Sequence, residues 1–495
     1  MRTASIRMNI IRSILSRISR VVLLSIGFVI LFSSAAHSLP EINPSRYVAP
    51  SPSQVPDYKG GPISLPAAEG NLAEPSPAEQ TDGNIYTLAE LVDIALQINP
   101  VTRYAWAQAQ ASAANWGISH APYYPSVSAA VVANGGDIPQ LQGGESFVSA
   151  NATLNYLLLD FGGRGAKAEA AKQALMAANW NHNQAIQDVL RNVPQAYYTH
   201  LAAKALVAAD EKSLIEAETT VRSTEERLKS GVSTLSDVLQ ARSNADQVRL
   251  RLASDRGQVA ITKGNLATAI GWPANRRFEI AREPDRLPVK EFSRSVDGLV
   301  DLARENRPAL GAAVHAVDQA AAQLKAARAL PFPQLNGTAS SQILTTKDQN
   351  GTFNYGGVTL SVPIFDGFNM KNSVRAARAQ LDAARASLKT QEESVVTDVW
   401  DAYSNYRTAL EQFTASKSLL TSASESFDAS SARYKEGAAD IVELLNAQSV
   451  LASARAQLIG ARMNISTSYA ELLHAVGAEL PAADDRIKGE TDAAQ

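Results

Sequence analysis

The 495-residue chain contains no cysteine and only six histidines, which are widely separated. The absence of cysteine excludes a disulfide scaffold, a thiolate metal site and a thiol-linked lipid anchor. The histidines show no metal-ligand spacing, and the sequence has neither a serine nucleophile elbow nor a phosphate-binding glycine loop. We therefore expect neither an enzyme nor a protein that depends on a cofactor or a bound metal.

Long apolar runs are also scarce. Five arginines precede one such run, Val21–Phe32, and the small-x-small pattern Ala36-His37-Ser38 follows it. Because this run is shorter than the ~20 residues that span a bilayer, it predicts a cleavable secretory signal at residues 1–38. The alternative is a retained N-terminal anchor. No later stretch reaches membrane-helix length, so any later membrane contact would involve strands or the surface.

Positive charge is in deficit once the signal is set aside, since 41 basic residues then face 49 acidic ones, a net charge of −8. This balance argues against nucleic acid as a partner. Residues 39–84 hold nine of the 22 prolines, which predicts an extended leader. Residues 479–495 read as an acidic, flexible tail.

The chain repeats itself. LVDIALQINP (Leu91–Pro100) returns as LVDLARENRP (Leu299–Pro308) at an offset of 208, and GVSTLSDVLQAR (Gly231–Arg242) returns as GAADIVELLNAQ (Gly437–Gln448) at 206. One supersecondary unit is thus written twice in the same order. We expect a first repeat at 85–292 and a second at 293–478, each reading helix, strand, strand, long helix, shorter helix.

The predicted strands alternate apolar with small polar residues. They are Pro125–Ala133, Phe147–Leu158, Leu335–Ile343 and Val358–Ile364. Segments of about nine to eleven residues with one apolar face are typical of membrane barrel strands. A soluble hairpin has the same period, so alternation alone leaves both interpretations open.

The predicted helices are long. Arg164–Ser230 and Lys371–Glu436 read as helix throughout, apart from an expected kink at Pro194. About 66 residues correspond to roughly 100 Å. The shorter helices, Thr87–His120 and Leu235–Ile270, are about half as long, so two of them match one long helix. These lengths favour a cylinder wall of parallel rods.

A heptad repeat in the last helix predicts how the rods pack. Large apolar residues recur every seven positions at Leu444, Leu451, Leu458, Ile465 and Leu472. Small residues follow three positions behind each of them. This pattern predicts a left-handed coiled coil with close helix approach, in which these residues form the seam.

Four strands cannot enclose a lumen, and an open edge in lipid leaves backbone groups unsatisfied. If the strands enter a bilayer, several copies must therefore combine into barrels of eight, twelve or sixteen strands.

The signature G-x5-[DE]-[VL]-L stands in both copies, at Gly231 with Asp237 and at Gly437 with Glu443, and an LxxD-G turn leads from strand to helix in the first. Across residues 85 to 478 the chain resembles the TolC-type outer-membrane efflux and export channels. The resemblance implies a mainly α fold with β: a long coiled-coil α-barrel continuous with a transmembrane β-barrel, completed by a homotrimer with four strands per chain. It also implies a location in the outer membrane, extending into the periplasm.

The resemblance implies a passive exit duct of a tripartite efflux or type I secretion system. The implied partners are outer-membrane lipid, a periplasmic adaptor protein and an inner-membrane RND or ABC transporter. The wall is the same for small molecules and for proteins, so the residues do not separate the two cargoes. A soluble periplasmic coiled-coil scaffold is the alternative function.

The hairpin ends are the predicted functional site. By resemblance, the entrance or gate residues are Asp237, Asp440, Glu443 and Asn446, and the adaptor-facing residues are Gly231, Val232, Gly437 and Ala438. The alternative for the acids is helix capping, through Thr234 with Asp237 and Asp440 with Glu443. Asn446 stands where a second acid is expected and Ala439 where a basic residue sometimes lies. A gate latch formed by an acid–arginine bridge at position 439 is therefore not expected, because that position is Ala439.

Overall fold

A computed structural model describes residues 47–54, 85–134, 147–281, 295–345 and 350–477. The predicted signal, most of the leader and the predicted tail lie outside these residues. In chain order the elements are β1 (Ile85–Tyr86), α1 (Leu88–Ile98), α2 (Pro100–Ser119), β2 (Ser126–Asn134), β3 (Phe147–Leu159), α3 (Gly163–Lys229), α4 (Leu235–Ile270), β4 (Glu279–Ile280), α5 (Val296–Asn306), α6 (Pro308–Ala329), β5 (Gln334–Thr345), β6 (Asn350–Ser361), α7 (Asn369–Glu436) and α8 (Ile441–Val476).

The chain is mostly helical with some sheet, which confirms the predicted class at this level. The two long helices have 67 and 68 residues, and their bounds lie within two residues of those expected. Pro194 lies inside α3 without ending it. No helix in the described ranges combines the length and the apolarity needed to cross a bilayer.

The predicted helix Thr87–His120 is in fact two helices, because Pro100 interrupts it. A proline disfavours helical backbone in the residue before it, and Asn99 is extended, with ψ 127°. The equivalent break in the second repeat falls at Arg307, which precedes Pro308 and has ψ 116°.

At both breaks a side chain donates a hydrogen bond to a carbonyl near the C-terminal end of another helix. Asn99 Nδ2 donates to the carbonyl of Ala269, near the end of α4, at 2.8 Å. Arg307 Nη1 donates to the carbonyl of Ala475, near the end of α8, at 3.0 Å. The two acceptors are 206 residues apart, so the copies solve the same capping problem with different side chains.

The chain divides into two compact units. Of the described residues, the first comprises 47–48, 110–134, 147–177, 314–345 and 350–386. It contains an antiparallel sheet in the order β2-β3-β5-β6. Strand β6 runs from Asn350 to Ser361 rather than from Val358 to Ile364. Pro363 accounts for the earlier end, because it has no N–H to donate to a neighbouring strand.

Of the described residues, the second unit comprises 49–54, 85–109, 178–281, 295–313 and 387–477. It contains two equivalent apolar cores. In the first, Leu91 of α1 packs with Val193 of α3 and Leu266 of α4. Their counterparts Leu299, Val399 and Leu472 pack in the second. Burial of the short amphipathic helices against the long ones therefore follows the sequence repeat.

Part of the predicted leader is packed against helices. The carbonyl of Ala49 accepts a hydrogen bond from Trp106 Nε1 at 2.7 Å, and that of Pro52 lies 2.9 Å from His182 Nε2. Ala49 is 3% exposed and His182 is fully buried. These contacts were not predicted, because the leader's proline content indicates extension without identifying a docking site.

Candidate functional site

The two helical hairpins reverse direction at glycines. Hairpin 1 (α3 and α4) turns at Gly231, with φ 75°, and hairpin 2 (α7 and α8) turns at Gly437, with φ 79°. In each, the residue after the glycine donates to a carbonyl in the last helical turn: Val232 to Arg227 at 2.9 Å and Ala438 to Arg433 at 2.8 Å. A left-handed glycine closes the helix and leaves Val232 and Ala438 exposed.

At the tip of hairpin 1, Asp237 forms a complete capping box. Its backbone N–H donates to Thr234 Oγ1 at 3.2 Å, and its Oδ2 accepts from the Thr234 N–H at 2.8 Å. The Ser233 hydroxyl donates to the same Oδ2 at 2.8 Å. The Thr234 backbone hydrogen bond, supported by that of Ser233, lowers the pKa of Asp237.

At the tip of hairpin 2, capping is one-sided. Asp440 Oδ1 accepts from the Glu443 N–H at 2.8 Å. Glu443 turns instead to Arg433, with its Oε1 2.8 Å from Nη1. Arg433 Nη2 also donates to the Ala438 carbonyl at 3.2 Å. An acid-to-arginine bridge therefore exists at this tip, but its arginine lies at the end of α7 and not at Ala439.

The hairpins also contact one another near their tips. Arg227 of hairpin 1 donates to the carbonyls of Tyr434 and Lys435 in hairpin 2, at 3.0 and 3.3 Å. Its guanidinium lies 4.8 Å from the centroid of the Tyr434 ring, and the Tyr434 hydroxyl is 3.2 Å from Thr224 Oγ1. Arg227 and Arg433 occupy equivalent repeat positions, each four residues before a tip glycine, yet Arg227 contacts the other hairpin and Arg433 contacts its own.

The remaining predicted site residues divide by burial. Asn446 is exposed, one turn beyond Glu443. The seam residues Leu444, Leu451, Ile465 and Leu472 are at most 4% exposed, whereas Leu458 is half-buried. No group of three or more metal-ligating side chains occurs in the described part of the chain.

The fold and the hairpin ends define a tandem-repeat protein in which two helical hairpins are joined to strands of one sheet. Residues 91–272 and 299–478 match the family model of the outer membrane efflux protein. The chain belongs to this outer membrane efflux protein family.

Similar proteins cover most of the chain. Protein CyaE of Bordetella pertussis is 30% identical over 437 residues, 85% of this chain and 90% of that protein. The antibiotic efflux pump outer membrane protein ArpC of Pseudomonas putida is 26% identical, over 87% of this chain and 91% of its own. The crystal structure of the outer membrane protein VceC of Vibrio cholerae shares the fold, with a TM-score of 0.70 at 21% identity, over 79% of this chain and 96% of its own.

The chain is therefore an outer-membrane exit duct of the efflux and type I secretion class. The comparisons support this function over the alternative of a soluble periplasmic scaffold, and they confirm the predicted family and location.

Proposed function

We propose that three copies of the chain assemble into a passive conduit, with a twelve-stranded barrel in the outer membrane and a wall of twelve helices in the periplasm. The edges of the four-stranded sheet carry this proposal. Strands β2 and β6 are the edge strands of the sheet, and among the described residues neither pairs with a second strand along its free edge. Unpaired edges are costly in lipid, and a second copy satisfies them by pairing β6 with β2.

The two faces of the sheet suit this assembly. The register places Asn151, Thr153 and Asn155 of β3 on the same face as Gln342 and Ser340 of β5. The opposite face of the outer strand β6 carries Val358 and Leu360, which are 64% and 62% exposed. A barrel with polar residues inside and apolar residues towards lipid follows from this alternation.

We assign the entrance to the hairpin tips. Three copies would set Asp237, Asp440 and Glu443 around one opening, where carboxylates attract cations. The contacts of Arg227 with Tyr434 and Lys435 would hold the two hairpins of each copy together there. Asn446 would add a neutral polar side chain. The exposed turns at Gly231, Val232, Gly437 and Ala438 would face a periplasmic adaptor, which connects the duct to an inner-membrane RND or ABC transporter.

Charge-neutral variants separate the entrance role from helix capping. Asn at position 237 retains an oxygen that accepts the Thr234 N–H, and Gln at 443 keeps the length of the glutamate. We expect Asp237→Asn combined with Glu443→Gln to lower cation selectivity and to weaken block by divalent cations in planar bilayers. Asp301→Asn is the control, since Asp301 is an exposed acid of α5 that pairs with Arg304 in its own helix.

Two results would contradict the proposal in different ways. Unchanged selectivity and divalent block in correctly assembled trimers would leave Asp237 as a helix cap alone and Glu443 as the partner of Arg433 alone. A purified protein that stays monomeric in detergent and forms no channels would refute the conduit itself.

A further inference from the structure

The four strands of the sheet contain no charged residue and no histidine. Their polar face carries serine, threonine, asparagine and glutamine, so it offers hydrogen bonds without an electrostatic preference for anions or cations. A ligand that binds this face gains nothing from carrying a net charge, and any charged ligand would lose hydration.

Two aromatic residues of β6 interrupt this polar face. In the strand register, Tyr355 of β6 lies opposite Ser340, and Ser340 lies opposite Thr153. Phe353 lies opposite Gln342, which in turn lies opposite Asn151. Each aromatic ring therefore ends a row of polar side chains, on the face away from the apolar Val358 and Leu360.

The two aromatic rings are exposed, and polar side chains in the adjacent strands contact one another. Phe353 is 56% exposed and Tyr355 is 62% exposed. Within the Tyr355 row, Thr153 Oγ1 and Ser340 Oγ are 3.2 Å apart, and Ser340 is only 8% exposed. The Phe353 ring lies over Gly351, the preceding residue on the same face, where an added Cβ would meet ring carbons at 3.0 Å. Gly351 thus leaves space for the ring to lie along the strand.

We propose that Phe353 and Tyr355 form an aromatic binding ring inside the exit barrel, which takes uncharged solutes carrying a planar aromatic group. The inference rests on the proposed trimer with this face inward, where three copies supply six rings at two adjacent levels. Planar groups stack on or against the rings, and the neighbouring hydroxyls and amides hydrogen-bond to polar substituents. The ring lies near the connection between β5 and β6, at the end of the sheet away from α6 and α7.

Two neutral, water-soluble glucosides test this inference in single-channel recordings. Phenyl β-D-glucoside carries a planar ring, and cyclohexyl β-D-glucoside carries a saturated ring of similar size. We expect the phenyl compound to reduce the current at lower concentration than the cyclohexyl compound. Phe353→Leu and Tyr355→Leu should each weaken the phenyl effect about two- to tenfold, since leucine keeps apolar bulk but cannot stack. The cyclohexyl effect should stay unchanged.

Tyr156→Leu is the matched control. Tyr156 lies opposite Gly337 on the other face of the sheet, so its replacement should leave the response to both glucosides as in the parent protein. Equal effects of the two glucosides on parent channels, or an unchanged phenyl effect in both ring variants, would overturn the aromatic ring while the conduit stands. Failure to form any channel would overturn the conduit and the ring together.

Discussion

Hairpin 1 carries three arginine–glutamate pairs between its helices, spaced seven residues apart. They are Arg242–Glu225 at 2.6 Å, Arg249–Glu218 at 2.7 Å and Arg256–Glu211 at 2.9 Å. Hairpin 2 keeps arginines at two of the equivalent positions, but the acids are replaced by Ser431, Ser424 and Lys417. A heptad spacing places such pairs along the flank of a coiled coil.

The loss of the acids changes where an arginine binds. Arg455 is the counterpart of Arg249, yet it makes two 2.8 Å contacts with Glu216 of hairpin 1. Arg249 and Glu218 are about half exposed, whereas the Arg455 and Glu216 side chains are 13% and 19% exposed. The duplicated sequence therefore uses one position to close a hairpin in the first copy and to join the two hairpins in the second.

The largest expected effect comes from breaking this bridge between the hairpins. Arg455→Met should lower the free energy of unfolding by about 2–4 kcal/mol, because it leaves Glu216 largely buried without its partner. Arg249→Met, the matched change in hairpin 1, should cost less than about 1 kcal/mol because both partners are exposed. Urea denaturation followed by circular dichroism measures both. Similar costs would show that the two pairs are energetically alike.

The second prediction compares the arginines at the tips. Arg227→Met removes two charge-assisted hydrogen bonds to hairpin 2 and should cost about 1–2 kcal/mol. Arg433→Met removes an exposed ion pair within hairpin 2 and should cost about 0.5 kcal/mol. Hydrogen exchange of the peptides around Gly231 and Gly437 locates each loss. If only the mutated hairpin exchanges faster in Arg227→Met, the contact does not couple the hairpins.

The third prediction concerns pH. His200 of hairpin 1 is 2% exposed and lies 3.0 Å from Thr262 Oγ1, while its counterpart in hairpin 2 is Tyr406. Burial, with the nearby charges of Lys204 and Lys263, lowers the pKa of His200 to about 4. An unfolded histidine takes up a proton near pH 6.5, so stability should fall as the pH drops from about 6.5 towards 4.

Replacement of this histidine tests its contribution. His200→Gln should show a smaller decrease in Tm between pH 7 and pH 5 than the parent protein. Thermal unfolding at both pH values measures the difference. A decrease identical to that of the parent would exclude His200 as the source of the acid sensitivity.

The sequence predicted those helices, strands and turns whose conformation depends on neighbouring residues. The long helices, strands β2, β3 and β5 and the glycine turns follow from periodicity and from residue types that need a particular backbone, whereas the start of β6 was predicted too late. It missed the split at Asn99 because an apolar pattern continues across Pro100, although the proline itself signals the break. Helix capping, the alternative role for Asp237 and Glu443, treated the two acids alike, and only Asp237 returns its carboxylate to the cap N–H.

By itself, the sequence determined the tandem repeat and the alternating faces of the strands, and it predicted the heptad seam from Leu444 to Leu472. The seam and the faces depend on residues a few positions apart, whose geometry the backbone dictates, whereas the repeat is found by comparing two distant parts of the sequence. Only the tertiary structure decided that Arg455 binds Glu216, that Arg227 reaches Tyr434 and that residues 49 to 52 pack on helices. Those partners lie from 57 to 239 residues apart. Tertiary packing decides which of several nearby groups a long side chain contacts, and no local pattern encodes that packing.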